Sequence, residues 1–214
     1  TAPFLYGAQP NMGLYFQPDG PHENPADLLP QGKIKEARDV QEAAAQQLRQ
    51  DLVFVGTKLN TIGCEGLNLD TGGSAGDADF WAALQAVVDL KKAAPNMPVI
   101  MGGSGEFVLG MHGEVEFNGR QLAGMYPHEQ AEAAQSAGAG IYGVAIGTKT
   151  TESVAWNIAR AVTFVKAAVA AVKIPVHANV GMGVGGVPMM EAPPIDSVTR
   201  ASKSLVQIGK ADGL

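Results

Sequence analysis

Between Lys33 and Thr61 the apolar residues Ala37, Val40, Ala44, Leu48, Leu52, Val55 and Leu59 recur every three or four positions. That is the period of one face of an α-helix, and it predicts a long helix closed at Gly63. Elsewhere the apolar residues come in short runs, over Pro3–Ala8, Gly66–Thr71, Pro98–Gly103, Ile141–Ile146 and Pro175–Val180. Short apolar runs bounded by glycine and proline read as buried strands. Further helices are expected over Asp77–Ala94, His128–Ala137, Thr151–Val172 and Ile195–Ile208, with Asp77 and Asp79 favouring the N-terminus of the first of these. Around Asn118-Gly119, residues 115–122 read as a β-hairpin with a two-residue turn. The segment Gln9–Gln31 holds five prolines (Pro10, Pro18, Pro21, Pro25 and Pro30) and reads as one long irregular connection.

One short motif links these elements. In Ile62-Gly63-Cys64-Glu65-Gly66-Leu67 and in Ala137-Gly138-Ala139-Gly140-Ile141, a glycine closes a helix, and a small residue, a second glycine and an apolar residue lead into a strand. Ile208 to Leu214 begins the same motif a third time. Helix, glycine cap and buried strand in alternation mean βαβ units around a parallel sheet. With right-handed crossovers, five strands and a sixth about to begin, the expected fold is a partial (β/α)8 barrel of the TIM type. It would be one domain spanning residues 1–214, the central part of a larger barrel. An open doubly wound sheet is the other reading. No Gly-x-Gly-x-x-Gly follows a first strand and no Walker motif is present, so nucleotide binding gains no support.

Composition narrows this only a little. Hydrophobic residues make up 46% of the 214 and charged residues 17%, a profile that argues against disorder. The net charge of −6, with no Lys/Arg cluster, gives no reason to expect a nucleic-acid partner. No apolar run reaches membrane-spanning length, and no basic segment followed by an apolar one opens the chain. The single cysteine, Cys64, has no partner for an internal disulfide; a reducing cytoplasm and a packing role are expected for it.

The polar residues at the ends of the expected strands are Asn11, Asp70 with Thr71, Glu106 with His112, Thr148, and His177 with Asn179. In a barrel these ends build the active-site face. Glu106 lies in a glycine-rich apolar stretch, where burial would suit a carboxylate to proton transfer. Beyond His177 and Asn179 runs GMGVGGVPMM, whose glycines let backbone approach a ligand and whose methionines offer a soft apolar wall. His112 and His177 stand on different strands with no paired cysteine, so zinc is not expected. Lys149 is the one lysine near a strand end that could form a Schiff base, and Ser104 lacks the setting of a hydrolase nucleophile. Trp81 and Trp156 are expected to pack, and His22 and His128 to lie at the surface or in caps.

The runs YGAQPNMGLYFQPDGPHENP, NLDTGGSAGDADF, GEFVLGMHG, LAGMYPHEQA, WNIARAVTFVKAAV and GMGVGGVPMMEAPPIDSVTRASKSLVQI carry a resemblance. Across essentially its whole length the chain resembles the dimethylamine:corrinoid methyltransferases, the dimethylamine-specific branch of the methylamine methyltransferases. The resemblance implies a cytoplasmic TIM-barrel enzyme that moves a methyl group from dimethylamine to the Co(I) of a separate corrinoid protein and leaves monomethylamine. It would serve methylamine-dependent methanogenesis or bacterial methylamine use. The cobalamin would be carried by the partner protein, with no cofactor bound directly by this chain. The full-length form is expected to be a homo-oligomer. The family's pyrrolysine, encoded by an in-frame amber codon, directly follows the segment matching Ala211-Asp212-Gly213-Leu214, and family members have further sequence before Thr1. Truncation at both ends is therefore implied, and an inactive fragment stays open, as does a barrel enzyme for a small anionic substrate. Within the resemblance Glu106 becomes the candidate proton-handling carboxylate, with Asp70 as a second catalytic carboxylate. Asn11, His112, His177 and Asn179 become orienting or lining residues. Met182, Gly183 and Gly185 would face substrate or corrinoid.

Overall fold

A computed structural model describes residues 12–103, 105–110, 113–147 and 155–214. The helices among them are α1 (Pro25–Leu28), α2 (Ile34–Thr61), α3 (Asp77–Ala93), α4 (Pro127–Ala137), α5 (Ala155–Ala171) and α6 (Ile195–Gln207). The strands are β1 (Leu67–Gly72), β2 (Val99–Gly103), β3 (Glu116–Phe117), β4 (Arg120–Gln121), β5 (Ile141–Val144) and β6 (Val176–Ala178). Four strands form a parallel sheet in the order β1-β2-β5-β6, and β3 and β4 form a separate antiparallel hairpin. The fold is mixed α/β, as expected. Two compact units divide it: Thr1–Val99 with Val108–Gly124, and Ile100–Phe107 with Met125–Leu214.

In the first unit α2 runs the full predicted length because Ala37, Ala44, Leu48 and Leu52 bury one continuous stripe. The small residues at Ala44, Ala45 and Gly56 let neighbouring chain come close, and a Cβ on Gly56 would meet the Leu90 side chain at 2.5 Å. The Gln9–Gln31 stretch is less irregular than expected: from residue 12 onward it contains the 3-10 turns Met12–Tyr15 and Leu29–Gln31 and the helix α1. Asn24 caps α1, accepting from Ala26 N–H at 2.9 Å, with Pro25 at the first helical position. Tyr15 is buried and its hydroxyl donates to Asp51 of α2 at 2.7 Å. The hairpin turns at Asn118 (φ 52°) and Gly119 (φ 75°), the two left-handed residues of a type I′ turn.

In the second unit the register is regular. Met101 pairs with Tyr142 and Tyr142 with Val176, all buried on one face of the sheet. The predicted helix caps hold twice. Gly63 and Gly138 take positive φ of 82° and 102°, and the residues after them, Cys64 and Ala139, donate back to Leu59 and Ala134. The third cap differs. After α6 the left-handed residue is Lys210 (φ 62°), and Gly209 is needed for another reason: a Cβ there would stand 2.6 Å from the Leu205 carbonyl. Beyond it Asp212 and Gly213 lie parallel to β6, with Asp212 N–H on Val176 O at 2.8 Å and Ala178 N–H on Gly213 O at 3.2 Å. The Asp212 carboxylate also accepts from Val176 N–H at 2.8 Å. The predicted strand over Pro3–Ala8 and the start of the helix predicted from Thr151 lie outside the described residues.

Candidate active site

Side chains alternate across a strand, and partners in register point to the same face. Gly102 pairs with Gly143, Gly143 with His177, and His177 with Gly213. One row across three strands and the chain end is therefore bare backbone with a single side chain, His177. At Gly143 the bareness is enforced. A Cβ on Gly143 would stand 2.6 Å from His177 Nε2 and 3.0 Å from its Cε1, so the imidazole lies where that carbon would be. His177 is half-buried while its neighbours Val176 and Ala178 are fully buried on the opposite face. Asn179, two residues on, is exposed.

Glu106 stands in the loop after β2, and this loop is held at two points. Tyr142 Oη donates to Gln130 Oε1 at 2.9 Å, and Gln130 Nε2 donates to the carbonyls of Met125 at 2.9 Å and Gly105 at 3.3 Å. Burial pushes the Tyr142 hydroxyl pKa upward, so it stays a donor. Gly103 has to be glycine, since a Cβ would meet Tyr142 Oη at 2.4 Å. The second hold is on the side chain. Glu106 Oε1 accepts from Arg160 Nη2, and the same Nη2 donates to the Gly147 carbonyl at 2.7 Å. The Arg160 guanidinium carbon lies 4.9 Å from the centre of the Trp156 ring. The expected apolar setting of Glu106 is thus corrected: its nearest partner is a cation reaching over from α5. Trp156 also departs from expectation. It is 64% exposed and lies beside Arg160 instead of packing in the core.

The glycine and methionine loop separates into two kinds of residue. Gly183 and Gly185, expected to face a ligand, are buried. Gly183 N–H donates to Pro188 O at 3.1 Å and Gly185 N–H to Ile146 O at 3.2 Å. A Cβ on Gly185 would sit 2.5 Å from Asn179 O, and one on Gly186 2.7 Å from Ile158 Cα. Close packing over the end of β5 and against α5 explains Gly185 and Gly186. The outward groups are the methionines: Met182 is 61% exposed, with Met189 and Met190 also exposed.

In the first unit Asp70 is half-buried within β1, not at its end. Asn68, on the same face of that strand, is 5% exposed, and its buried Oδ1 has no partner among the described residues. Asp77 and Asp79 are buried at the start of α3. Asp77 Oδ2 accepts from Gly113 N–H at 2.9 Å, and Asp79 Oδ2 accepts from Ala75 N–H at 3.0 Å and Ser74 Oγ at 3.3 Å. Burial raises the Asp79 pKa against these hydrogen bonds, which lower it. Cys64 donates to the Gly66 carbonyl at 3.1 Å, a local packing role as expected. Asn11, Ser104, His112, Thr148 and Lys149 lie outside the described residues. Among those described, no group of three His, Cys, Asp or Glu residues is placed to hold a metal ion. No helix among them is long and apolar enough to cross a membrane.

The structure therefore brings Glu106, His177 and the methionine loop into one unit, and it adds Arg160, Gln130 and Tyr142, which the sequence did not single out. Over residues 1–214 the sequence matches the family described as dimethylamine methyltransferase (Dimeth_PyL). The chain belongs to that family of methyl-transferring enzymes.

Proposed function

We propose that this chain carries the site at which dimethylamine gives up a methyl group to the Co(I) of a corrinoid protein, with monomethylamine as the product. The observation that supports this reading is the family match over the whole of residues 1–214. The C–N bond breaks as the C–Co bond forms, the cobalt supplying the electron pair, and the departing nitrogen ends as a neutral or protonated amine. The corrinoid, carried by its partner protein, supplies that nucleophilic metal when the two proteins meet. Exposed Met182, Met189 and Met190 offer the soft apolar surface that the face of a flat macrocycle would fit.

The chain's own residues have separable tasks in this scheme. Glu106 Oε1 is taken by Arg160, and its second oxygen has no hydrogen bond among the described residues. That oxygen is available to accept from the N–H of a dimethylammonium ion and to hold or return its proton. His177 lines the bare face of the sheet. The pyrrolysine that the resemblance puts directly after Leu214 fits this geometry. Gly213 is in register with His177, so a residue two positions beyond Gly213 would stand beside Asn179 and share its face. The strand order β1-β2-β5-β6, followed by Asp212 and Gly213, runs in chain order with no reversal. That favours the partial TIM barrel over a doubly wound sheet, whose order reverses at a switch point. Cytoplasmic location and a homo-oligomeric full-length form belong to the same proposal.

The test is to incubate the purified protein with its Co(I) corrinoid partner and dimethylamine, monomethylamine or trimethylamine in turn. Methyl-Co(III) formation is followed by visible absorbance. Dimethylamine should react and release one monomethylamine per methyl transferred. Equal rates with all three amines, or methylation without monomethylamine, would overturn the proposal.

A further inference from the structure

We infer that Arg160 is a positioning residue for the methyl-transfer site: it orients the Glu106 carboxylate so that one oxygen is held by the protein and the other is left for the amine. The inference rests on the methyl-transfer reading above.

Three observations carry it. Glu106 and Arg160 are both shielded, with side chains 21% and 26% exposed, so their contact is not a loose surface pair. A single nitrogen, Nη2, serves both Glu106 and the Gly147 carbonyl, and so joins the loop after β2 to the exit of β5. The Arg160 Nε is buried without a hydrogen-bond partner among the described residues. A purely stabilising arginine would be expected to use its planar fork in a two-pronged contact. Here one nitrogen takes both contacts and Nε is left buried without a partner, an arrangement that costs stability. The geometry sacrifices stability for the placement of one carboxylate oxygen.

The backbone beside Glu106 has its own anchor, since Gln130 holds the Gly105 carbonyl and is itself held by buried Tyr142. What Arg160 adds is therefore the direction of the Glu106 side chain, not the existence of the loop. Trp156, one helical turn before Arg160 on α5, carries the guanidinium on its ring and limits its swing.

A double-mutant cycle tests this in the complete enzyme with its corrinoid partner. Arg160→Met should lower kcat/KM for dimethylamine by about 10²-fold through loss of orientation, mostly in kcat. In a Glu106→Gln background the same change should cost less than about threefold, because residues that act through one another are not additive. Arg160→Lys should recover about a tenth of the parent activity, since an ammonium keeps the charge but loses the planar group that lies on the Trp156 ring and limits the swing. Guanidinium ion, at concentrations too low to denature, should restore part of the activity of Arg160→Ala and none to Glu106→Gln. Equal costs of Arg160→Met in both backgrounds would mark a merely structural arginine and overturn the inference. So would a near-parental Arg160→Met. If Arg160→Met does not fold, the Arg160→Lys cost in the two backgrounds decides the matter by the same criterion. A Glu106→Gln enzyme at parental rate would remove Glu106, and this inference with it, while leaving methyl transfer itself in place. An unmodified enzyme inert toward dimethylamine would be a failure of the proposed function instead.

Discussion

The segments after two strands that are neighbours in sequence both carry carboxylates, but they use them in opposite ways. After β1, Asp77 and Asp79 are buried and turned back on the chain, with oxygens on the N–H groups of Gly113, Ala78 and Ala75 and on the Ser74 hydroxyl. After β2, Glu106 keeps partial exposure and gives one oxygen to a distant arginine. Carboxylates spent on backbone N–H groups hold a loop and start a helix. A carboxylate with an oxygen to spare can meet a substrate. All three are acidic residues a few positions past a strand, Asp77 and Asp79 at the start of α3 and Glu106 in a loop; the partners make the difference.

The largest test of this contrast is Glu106→Gln, which should lower the rate of cobalt methylation by about 10²-fold or more and move the urea midpoint little. A rate within threefold of the parent would place Glu106 with the structural carboxylates. Next, Asp77→Ala strips a partner from the buried loop and leaves Gly113 N–H unpaired, which should cost about 2–3 kcal/mol in urea unfolding. Its activity per folded molecule should stay near parental, the reverse of the Glu106 result. The smallest effect is a pH dependence at Asp79. Its folded pKa is raised by burial, so the folded state binds the proton more tightly than the unfolded chain, whose carboxyl titrates near 3.8. Stability from this group is full below 3.8 and is lost as pH rises through the higher folded value. Asp79→Asn removes that loss, so the variant's advantage in urea melts should widen as pH rises from 3.8. Parallel stability curves for variant and parent would show that Asp79 is not the group responsible.

Local chemistry made much of the fold legible. Asn118-Gly119 can satisfy two left-handed positions in succession, and it does. The caps at Gly63 and Gly138 were equally local. At Gly209 the pattern misled, because a glycine required by the closeness of the Leu205 carbonyl looks, in sequence, like one required by its dihedral angles. The site was legible in part. Glu106 stood out by its glycine-rich surroundings, but its partner lies 54 positions further along, on a helix face that reads as ordinary solvent surface. Trp156 looked like core because tryptophan usually is; only the chain's path shows it under Arg160 instead. The bare row Gly102, Gly143, His177, Gly213 could not be read at all, since it exists only once the register of three strands is fixed. The glycines of the 181–186 loop drew more notice in sequence, yet two of them, Gly185 and Gly186, are held by close packing.

That bare row has a consequence for how the protein can vary. Glycine is the smallest residue, so every substitution at Gly102, Gly143 or Gly213 adds atoms to this face, and none removes any. The floor stands at its lowest level already. Mutational drift along this row is therefore one-directional: it can shrink the space above the sheet but never enlarge it. Accommodation of a bulkier substrate would have to come from the walls, through the loops that bear Glu106 and Met182, and not from the strands beneath.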